Sequence, residues 1–281
     1  MRNSCLGDAS FWRASQSLFA VELLDPYESL RKRRGGELSR VNAPIAPKAN
    51  ALLAALPEVV YRRLLPHLEA RVLRPGEPLN PADGSVEFAY FPATSIVALL
   101  YDVDGAPLRA NAWPVGREGM LGISQVLGVP KFVTHAEVLI GGTAFRLSAT
   151  SLLAELQRAS ALKNLLLRYA FALITQASQL GVCSHYHSVE QQHIRFLLRA
   201  FDGAGSEQID LTHQRIAELL GVRRVSITRA AGKLQADDLI EYVRGRVTLI
   251  NRKKLEERSC VCTAIIRRAF DDVLGYALNP A

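Results

Sequence analysis

Residues 211–250 read LTHQRIAELLGVRRVSITRAAGKLQADDLIEYVRGRVTLI, and this stretch decides how the chain is built. Thr212 is a good N-cap, and Ile216, Leu219 and Leu220 follow at helical spacing on one face. Gly221 ends that helix, because glycine accepts the left-handed conformation a C-terminal turn needs. After Val222 a second helix opens with Arg223 and Arg224 and turns Ile227, Ala230, Ala231 and Leu234 inward. Arg224, Val225, Ser226, Arg229 and Lys233 are left to face outward. Leu239 to Ile250 then reads as two short strands around Gly245, with Arg244 and Arg246 flanking the tip. Two helices joined by a short glycine turn, the second basic at its start, form a helix-turn-helix whose second helix fits a DNA major groove. The hairpin is its wing. The stretch points to sequence-specific binding of double-stranded DNA.

Charge agrees with that reading. Residues 211–258 hold 11 Lys/Arg against 6 Asp/Glu, whereas residues 49–210 hold 13 against 14. Most of the net charge of +7 therefore sits at the two ends, the largest share on the motif, where neutralised phosphates release counterions. The four cysteines, Cys5, Cys183, Cys260 and Cys262, form no C-x-x-C and no repeated spacing, so neither a secreted disulfide framework nor a zinc ribbon is indicated. No apolar run reaches membrane-span length and no leader-type h-region opens the chain, so no membrane partner and a cytoplasmic location are expected.

Working outward, residues 1–48 are weakly patterned and include the run Arg31, Lys32, Arg33 and Arg34, which reads as a flexible basic extension. Asn50 to Leu68 is a helical lead-in interrupted at Pro57 and Pro66. From Ala70 short runs rich in Val, Phe, Tyr and Leu alternate with Pro75-Gly76, Asp83-Gly84, Asp104-Gly105 and Gly141-Gly142, the pattern of a compact β-roll. Leu152 to about His187 carries Leu152, Leu156, Ala159, Lys163, Leu166, Ala170, Leu173, Ala177 and Leu180 at 4,3 spacing. One seam facing the roll and another facing a twin helix would build a two-fold dimer. Ser188-Val189-Glu190-Gln191 then opens a further helix that ends at Asp202-Gly203. The expected class is α+β, in five parts: a basic extension (1–48), a β-roll sensor (49–150), a dimerisation helix (151–187), a winged helix-turn-helix (188–258) and a tail helix (259–281).

β-roll, long helix and winged helix-turn-helix, in that order, resemble the Crp/Fnr family of bacterial transcription regulators. The likeness covers about residues 50–258. It is most specific in LTHQRIAELLGVRRVSITRAAGKLQADDLI, with YFPATSIVALL and VGREGMLGISQVLG similar to the family's roll. The resemblance implies a homodimeric regulator, with RNA polymerase as a further partner and a small-molecule effector in the roll. It makes Arg224, Val225 and Arg229 the base readers, and puts Thr212 and Gln214 on phosphate. Arginine's planar fork matches guanine O6 and N7, worth about 1–3 kcal/mol of discrimination. Arg223, Ser226, Lys233, Arg244 and Arg246 are placed to reach the backbone. Many relatives have glutamate where Val225 stands; valine can only make apolar contact, for example with a thymine methyl.

The roll departs further. Cyclic-nucleotide binders use a Gly-Glu segment for the ribose and an Arg-Ser/Thr-Ala segment for the phosphate. Here Gly116-Arg117-Glu118-Gly119 keeps the glutamate, but Thr134-His135-Ala136 stands where the arginine is expected. A buried phosphate would lose its main charge-assisted partner. Arg117, Glu118, Thr134 and His135 are the candidate effector residues, without an identified ligand. The iron–sulfur form needs a cluster of four cysteines, which this sequence lacks. Cys183 and His187 share a helix face, with His185 pointing away and His193 nearby, but two ligands are too few for a closed metal site. Local hydrogen bonding near a helix hinge is the simpler reading, and no metal or cofactor is expected. Cys260-x-Cys262 leaves a redox or metal-responsive regulator as an alternative. A winged helix that binds protein instead would show an apolar second helix, which Arg223, Arg224, Arg229 and Lys233 contradict. No G-x-S-x-G, Walker, H-E-x-x-H or G-x-G-x-x-G sequence supports an enzyme.

Overall fold

Asn50 organises the start of the described chain. A computed structural model describes residues 45–80, 84–103, 106–129, 131 and 134–275; the basic run 31–34, Cys5 and the Asp104-Gly105 turn lie outside them. Asn50 caps helix α1 (Ala51–Ala54) by accepting from the Leu53 amide, and its side-chain amide donates to Pro92 O and Gly119 O, both at 2.8 Å. Pro57, unable to continue a helix, becomes the N-cap of α2 (Glu58–Leu64), and Pro66 sits in the 3₁₀ turn that follows.

Six strands make the roll: β1 (Glu69–Leu73), β2 (Phe88–Pro92), β3 (Ile96–Val103), β4 (Ala106–Val115), β5 (His135–Ile140) and β6 (Gly142–Ser148). They form two antiparallel three-stranded sheets, ordered β1-β6-β2 and β4-β3-β5. Alternating inward residues from both sheets, among them Leu73, Tyr90, Val97, Val115, Val138 and Ala144, close over one apolar core.

Ser148 caps α3 (Ala149–Arg158) by accepting from the Ser151 amide at 3.1 Å. The continuous helix expected from 152 to 187 is in fact two. Ala159 takes φ −123°, ψ 100°, and α4 (Ser160–Tyr186) starts afresh. Twenty-seven residues make α4 about 40 Å long. Its 4,3 periodicity is real, but the seam read from it faces home. Leu166 and Ala170 are buried, and Leu173 and Leu180 pack against the core under the roll. A second stripe, Leu167, Phe171, Ile174 and Val182, is exposed.

Ser188 and Gln191 form a true capping box for α5 (Val189–Ala204), which runs past Asp202-Gly203 to a left-handed Gly205. Then come β7 (Gln208–Asp210), α6 (His213–Leu220), α7 (Arg224–Ala236), β8 (Ile240–Val243), β9 (Arg246–Leu249), α8 (Arg252–Glu257) and α9 (Val261–Leu274). β7 adds a third strand to the hairpin, in the order β7-β9-β8. The tail helix α9, which periodicity alone could not place, lies along α4. Phe270 meets Tyr169 edge-on at 6.1 Å, and the Tyr169 hydroxyl donates to Met120 O and accepts from Met120 N.

The roll and the C-terminal elements share a core. Ile96, Ala98, Leu100 and Leu139 join Ile194, Leu197 and Phe201 of α5 and the apolar faces of α6 and α7. Polar contacts reinforce it: Arg199 pairs with Glu118 at 2.9 Å, both side chains buried, and Arg215 of α6 pairs with Glu137 of β5. At Gly116 a Cβ would fall 2.4 Å from the Gly203 Cα, so only glycine lets the loop touch α5. Among the described residues no helix is long and apolar enough to cross a membrane.

Candidate nucleic-acid interface

Local chemistry sets the angle between α6 and α7. The Thr212 hydroxyl accepts from the Arg215 amide at 3.2 Å and starts α6. Gly221, at φ +65°, stops it, and Val222 N bonds back to Ala217 O at 3.0 Å. Arg223 is the N-cap of α7, one residue later than the helix start read from sequence. It supplies no side-chain cap; its carbonyl accepts from Ser226 N at 2.9 Å, and the amides of Arg224 and Val225 ahead of it are the donors an anion would meet. Ile227, Ala230, Ala231 and Leu234 are buried as expected, which turns Arg224, Val225 and Arg229 into solvent. Val225 is 59% exposed, a large aliphatic with no partner on its own domain. Thr228, one turn after Arg224, shares the face and went unread from the sequence. The i, i+4 spacing of 224–228 and 225–229 was the available signal.

The wing is fixed by its turn. Arg244 and Gly245 both have positive φ, +49° and +84°, as a two-residue hairpin turn of the primed kind requires. The Gly245 carbonyl accepts from Leu211 N at 2.8 Å, fastening the tip beside the start of α6.

The expected phosphate-contacting set is less uniform than its sequence suggests. Arg223, Arg244, Arg246, Thr212 and Gln214 are exposed, and Ser226 is half-buried. Gln214 donates to Glu218 at 2.8 Å, and Arg246 forks onto Asp210 of the neighbouring strand β7 at 2.7 Å. Lys233 sits far along α7 and pairs with Glu190 of α5 at 3.3 Å. His213 joins the two helices: its Nδ1 lies 3.3 Å from the Thr228 hydroxyl and its ring meets Tyr242 at 4.4 Å. Burial first, and the Arg224 charge second, hold the His213 pKa below the ordinary histidine value, so the imidazole is neutral at pH 7.

A family model of the Crp-like helix-turn-helix domain matches residues 191–258, which span α5 through the end of α8. This is a Crp-like helix-turn-helix domain. Among solved structures the chain is similar to FixK2 from Bradyrhizobium japonicum, at 16% identity over 69% of this chain and 98% of that one, TM-score 0.57. It is similar to a CRP-family transcriptional regulator from Thermus thermophilus, at 14% identity over 75% and 100%, TM-score 0.53. It also matches the c-di-GMP-responsive global regulator CLP from Xanthomonas campestris, at 17% identity over 69% and 100%, TM-score 0.50. Identities at this level speak for fold. No curated protein sequence matches the chain. The chain thus carries a Crp-like DNA-binding domain on the fold of Crp/Fnr regulators: roll, long helix, winged helix-turn-helix.

Upstream of the Crp-like domain, the four candidate effector residues do not form one group. Glu118 accepts from Gly116 N at 3.1 Å and from Arg199, so its carboxylate is committed to the roll–α5 junction. The Arg117 backbone bonds to Gly203 O and Ala51 N at the same junction. Thr134 offers its carbonyl to Asn80, and His135 lies at the exposed start of β5. A cavity of about 260 Å³ on the roll is lined instead by Arg71, Glu77, Asn80, Glu87, Tyr90 and Arg146, with none of those four.

Proposed function

We propose that the chain is a sequence-specific transcription regulator that binds double-stranded DNA as a homodimer. One observation carries this: the first turns of α7 present Arg224, Val225, Thr228 and Arg229 to solvent, beside a wing whose tip carries Arg244. Arg224 and Arg229 read base edges in the major groove, and Val225 makes an apolar contact there. Thr212, Gln214, Arg223, Ser226, Arg244 and Arg246 hold the backbone. Lys233 leaves the set, because it sits in the last turn of α7, away from the turns that carry the base readers.

The dimer rests on the outward stripe of α4. Phe171 and Ile174 are 67% and 62% exposed, a continuous apolar line on a helix of the length a two-fold seam needs. Two copies would set their recognition helices about one turn of DNA, ~34 Å, apart. Such a regulator works in the cytoplasm and meets RNA polymerase at its promoters. A cyclic-nucleotide receptor is not part of this reading, since Glu118 is spent on Arg199.

The test is DNA retention against salt, on a selected operator and on scrambled DNA. Retention should fall steeply with rising salt. Arg224→Ala should erase about 1–3 kcal/mol of preference for one base position, whereas Arg246→Ala should weaken all sequences alike and lower the salt slope by about 1. Salt-independent retention, or none on any DNA, would sink the proposal.

A further inference from the structure

The last residues of α4 and the segment entering α9, about 75 positions apart, meet at four side chains. The sulfurs of Cys183, Cys260 and Cys262 and an imidazole nitrogen of His187 all lie within 4.8 Å of one another. Cys183 and His187 reach the cluster because they are one helical turn apart, with His187 at the C-cap of α4. Cys260 and Cys262 reach it because Cys260 is the N-cap of α9, which lies along α4. All three thiols are buried and touch chiefly one another, and His187 is half-buried at the rim.

We propose that Cys183, His187, Cys260 and Cys262 bind a single tetrahedral, thiophilic divalent cation of the zinc class. Two of the spacings match the edges of one ion's ligand shell, and the rest stay within 4.8 Å. With metal–sulfur bonds of about 2.3 Å and metal–nitrogen bonds of about 2.0 Å, a tetrahedron has S···S edges near 3.8 Å and S···N edges near 3.5 Å. Cys183 Sγ to Cys260 Sγ is 3.7 Å, and Cys262 Sγ to His187 Nδ1 is 3.3 Å. A disulfide bond is about 2.05 Å long and would use only two of the four groups. The cysteines of an iron–sulfur cluster bond different irons, so their sulfurs spread wider than one ion's edges.

Outer contacts fit an anionic centre. Three thiolates and a neutral imidazole around a divalent ion leave one negative charge, the thiol protons having passed to solvent. Gln179 Nε2 donates to Cys262 Sγ at 3.1 Å. The buried guanidinium of Arg195 lies close enough to Cys183 to act on its charge and offsets the negative centre. The ion would therefore join three segments: the end of the long helix, the residue preceding the Ser188 capping box of α5, and the start of α9. That is the junction through which α4 carries the Crp-like domain.

The full-length protein, purified under reducing conditions, should contain about one zinc per chain by elemental mass analysis. Exchange for cobalt(II) should give thiolate charge-transfer bands and the ligand-field spectrum of a tetrahedral ion. Cys262→Ser and His187→Ala should each lower cobalt affinity at least tenfold, and Cys5→Ser should leave it unchanged. Should a cysteine variant fail to fold, His187→Gln at the half-buried rim carries the same test. A reduced protein that takes up neither zinc nor cobalt overturns the proposal. So does a Cys183–Cys260 disulfide that persists in the protein purified under reducing conditions, and so does iron accompanied by acid-labile sulfide.

Discussion

Replacing Arg199 by alanine strands a carboxylate. Glu118 and Arg199 have 5% and 8% of their side chains exposed, at a separation of 2.9 Å, on opposite sides of the junction between the roll and α5. Deleting one member of a buried pair costs about 3–5 kcal/mol, because the remaining charge keeps its desolvation penalty without its partner. Arg199 also stacks over Phe270 at 4.3 Å, so the same change removes a cation–π contact of about 0.5–2 kcal/mol that helps hold α9. Glu118→Gln alone should be milder, since an uncharged amide can still accept from Gly116 N. The pair Glu118→Gln with Arg199→Met should recover most of the loss and give a coupling of about 2 kcal/mol in the double-mutant cycle. Equilibrium urea unfolding followed by circular dichroism, at constant m-value, measures wild type, Arg199→Ala and the three corners of the cycle, Glu118→Gln, Arg199→Met and the double variant. A loss below about 1 kcal/mol in Arg199→Ala, or strict additivity in the double variant, would refute the assignment of Glu118 as an internal strut.

Two further outcomes are expected. His193 is buried with neither ring nitrogen hydrogen-bonded, and burial holds its pKa down to about 3, with His213 adding a smaller push. Between pH 6.5 and 3 only the unfolded chain protonates this ring, so its contribution is intact above pH 6.5 and falls about 1.4 kcal/mol per unit below it. His193→Leu should flatten the stability–pH curve by that slope while leaving stability at pH 7 unchanged or raised by about 1 kcal/mol; parallel curves would exclude the mechanism. Phe171→Glu on the outward stripe of α4 should give a folded monomer by sedimentation, with thermal stability of the protomer kept and operator affinity down at least tenfold. A variant that stays dimeric would place the seam elsewhere.

What the sequence disclosed was local. Thr212, Gly221, the Ser188–Gln191 box and the Arg244-Gly245 turn each write their conformation in one to four neighbouring residues, and all took the expected shape. The misses are of another kind. Ala159 is a strong helix former held extended, and its neighbours show why. Glu155 is tied to Arg63 of α2, and Ala159 itself is buried under the roll, so tertiary packing overrides propensity. The 4,3 seam of α4 is the one that faces the roll; which further face would meet a twin helix was not legible, because spacing says that a face is buried and not against what. Glu118 looked like a ligand for lack of any sign that Arg199, 81 positions later, would claim it. Cys183 with His187 looked two ligands short for the same reason.

The bare contact of Gly116 with Gly203 bears on how the roll and the Crp-like domain can move relative to each other. Most inter-domain contacts are cushioned by side chains, whose rotamers absorb small displacements before any backbone is asked to respond. Here main chain rests on main chain, and Arg117 N is hydrogen-bonded to Gly203 O at 3.0 Å. Such a joint has almost no backlash. The 116–119 loop meets the last turn of α5 with no side chain between them, so a displacement of either presses directly on the backbone of the other. The same absence of cushioning makes the joint intolerant at one point: an alanine at Gly116 would put its Cβ 2.4 Å from the Gly203 Cα and act as a fixed spacer, whereas at Gly203 the nearest atom would be 3.3 Å away and a small shift would suffice.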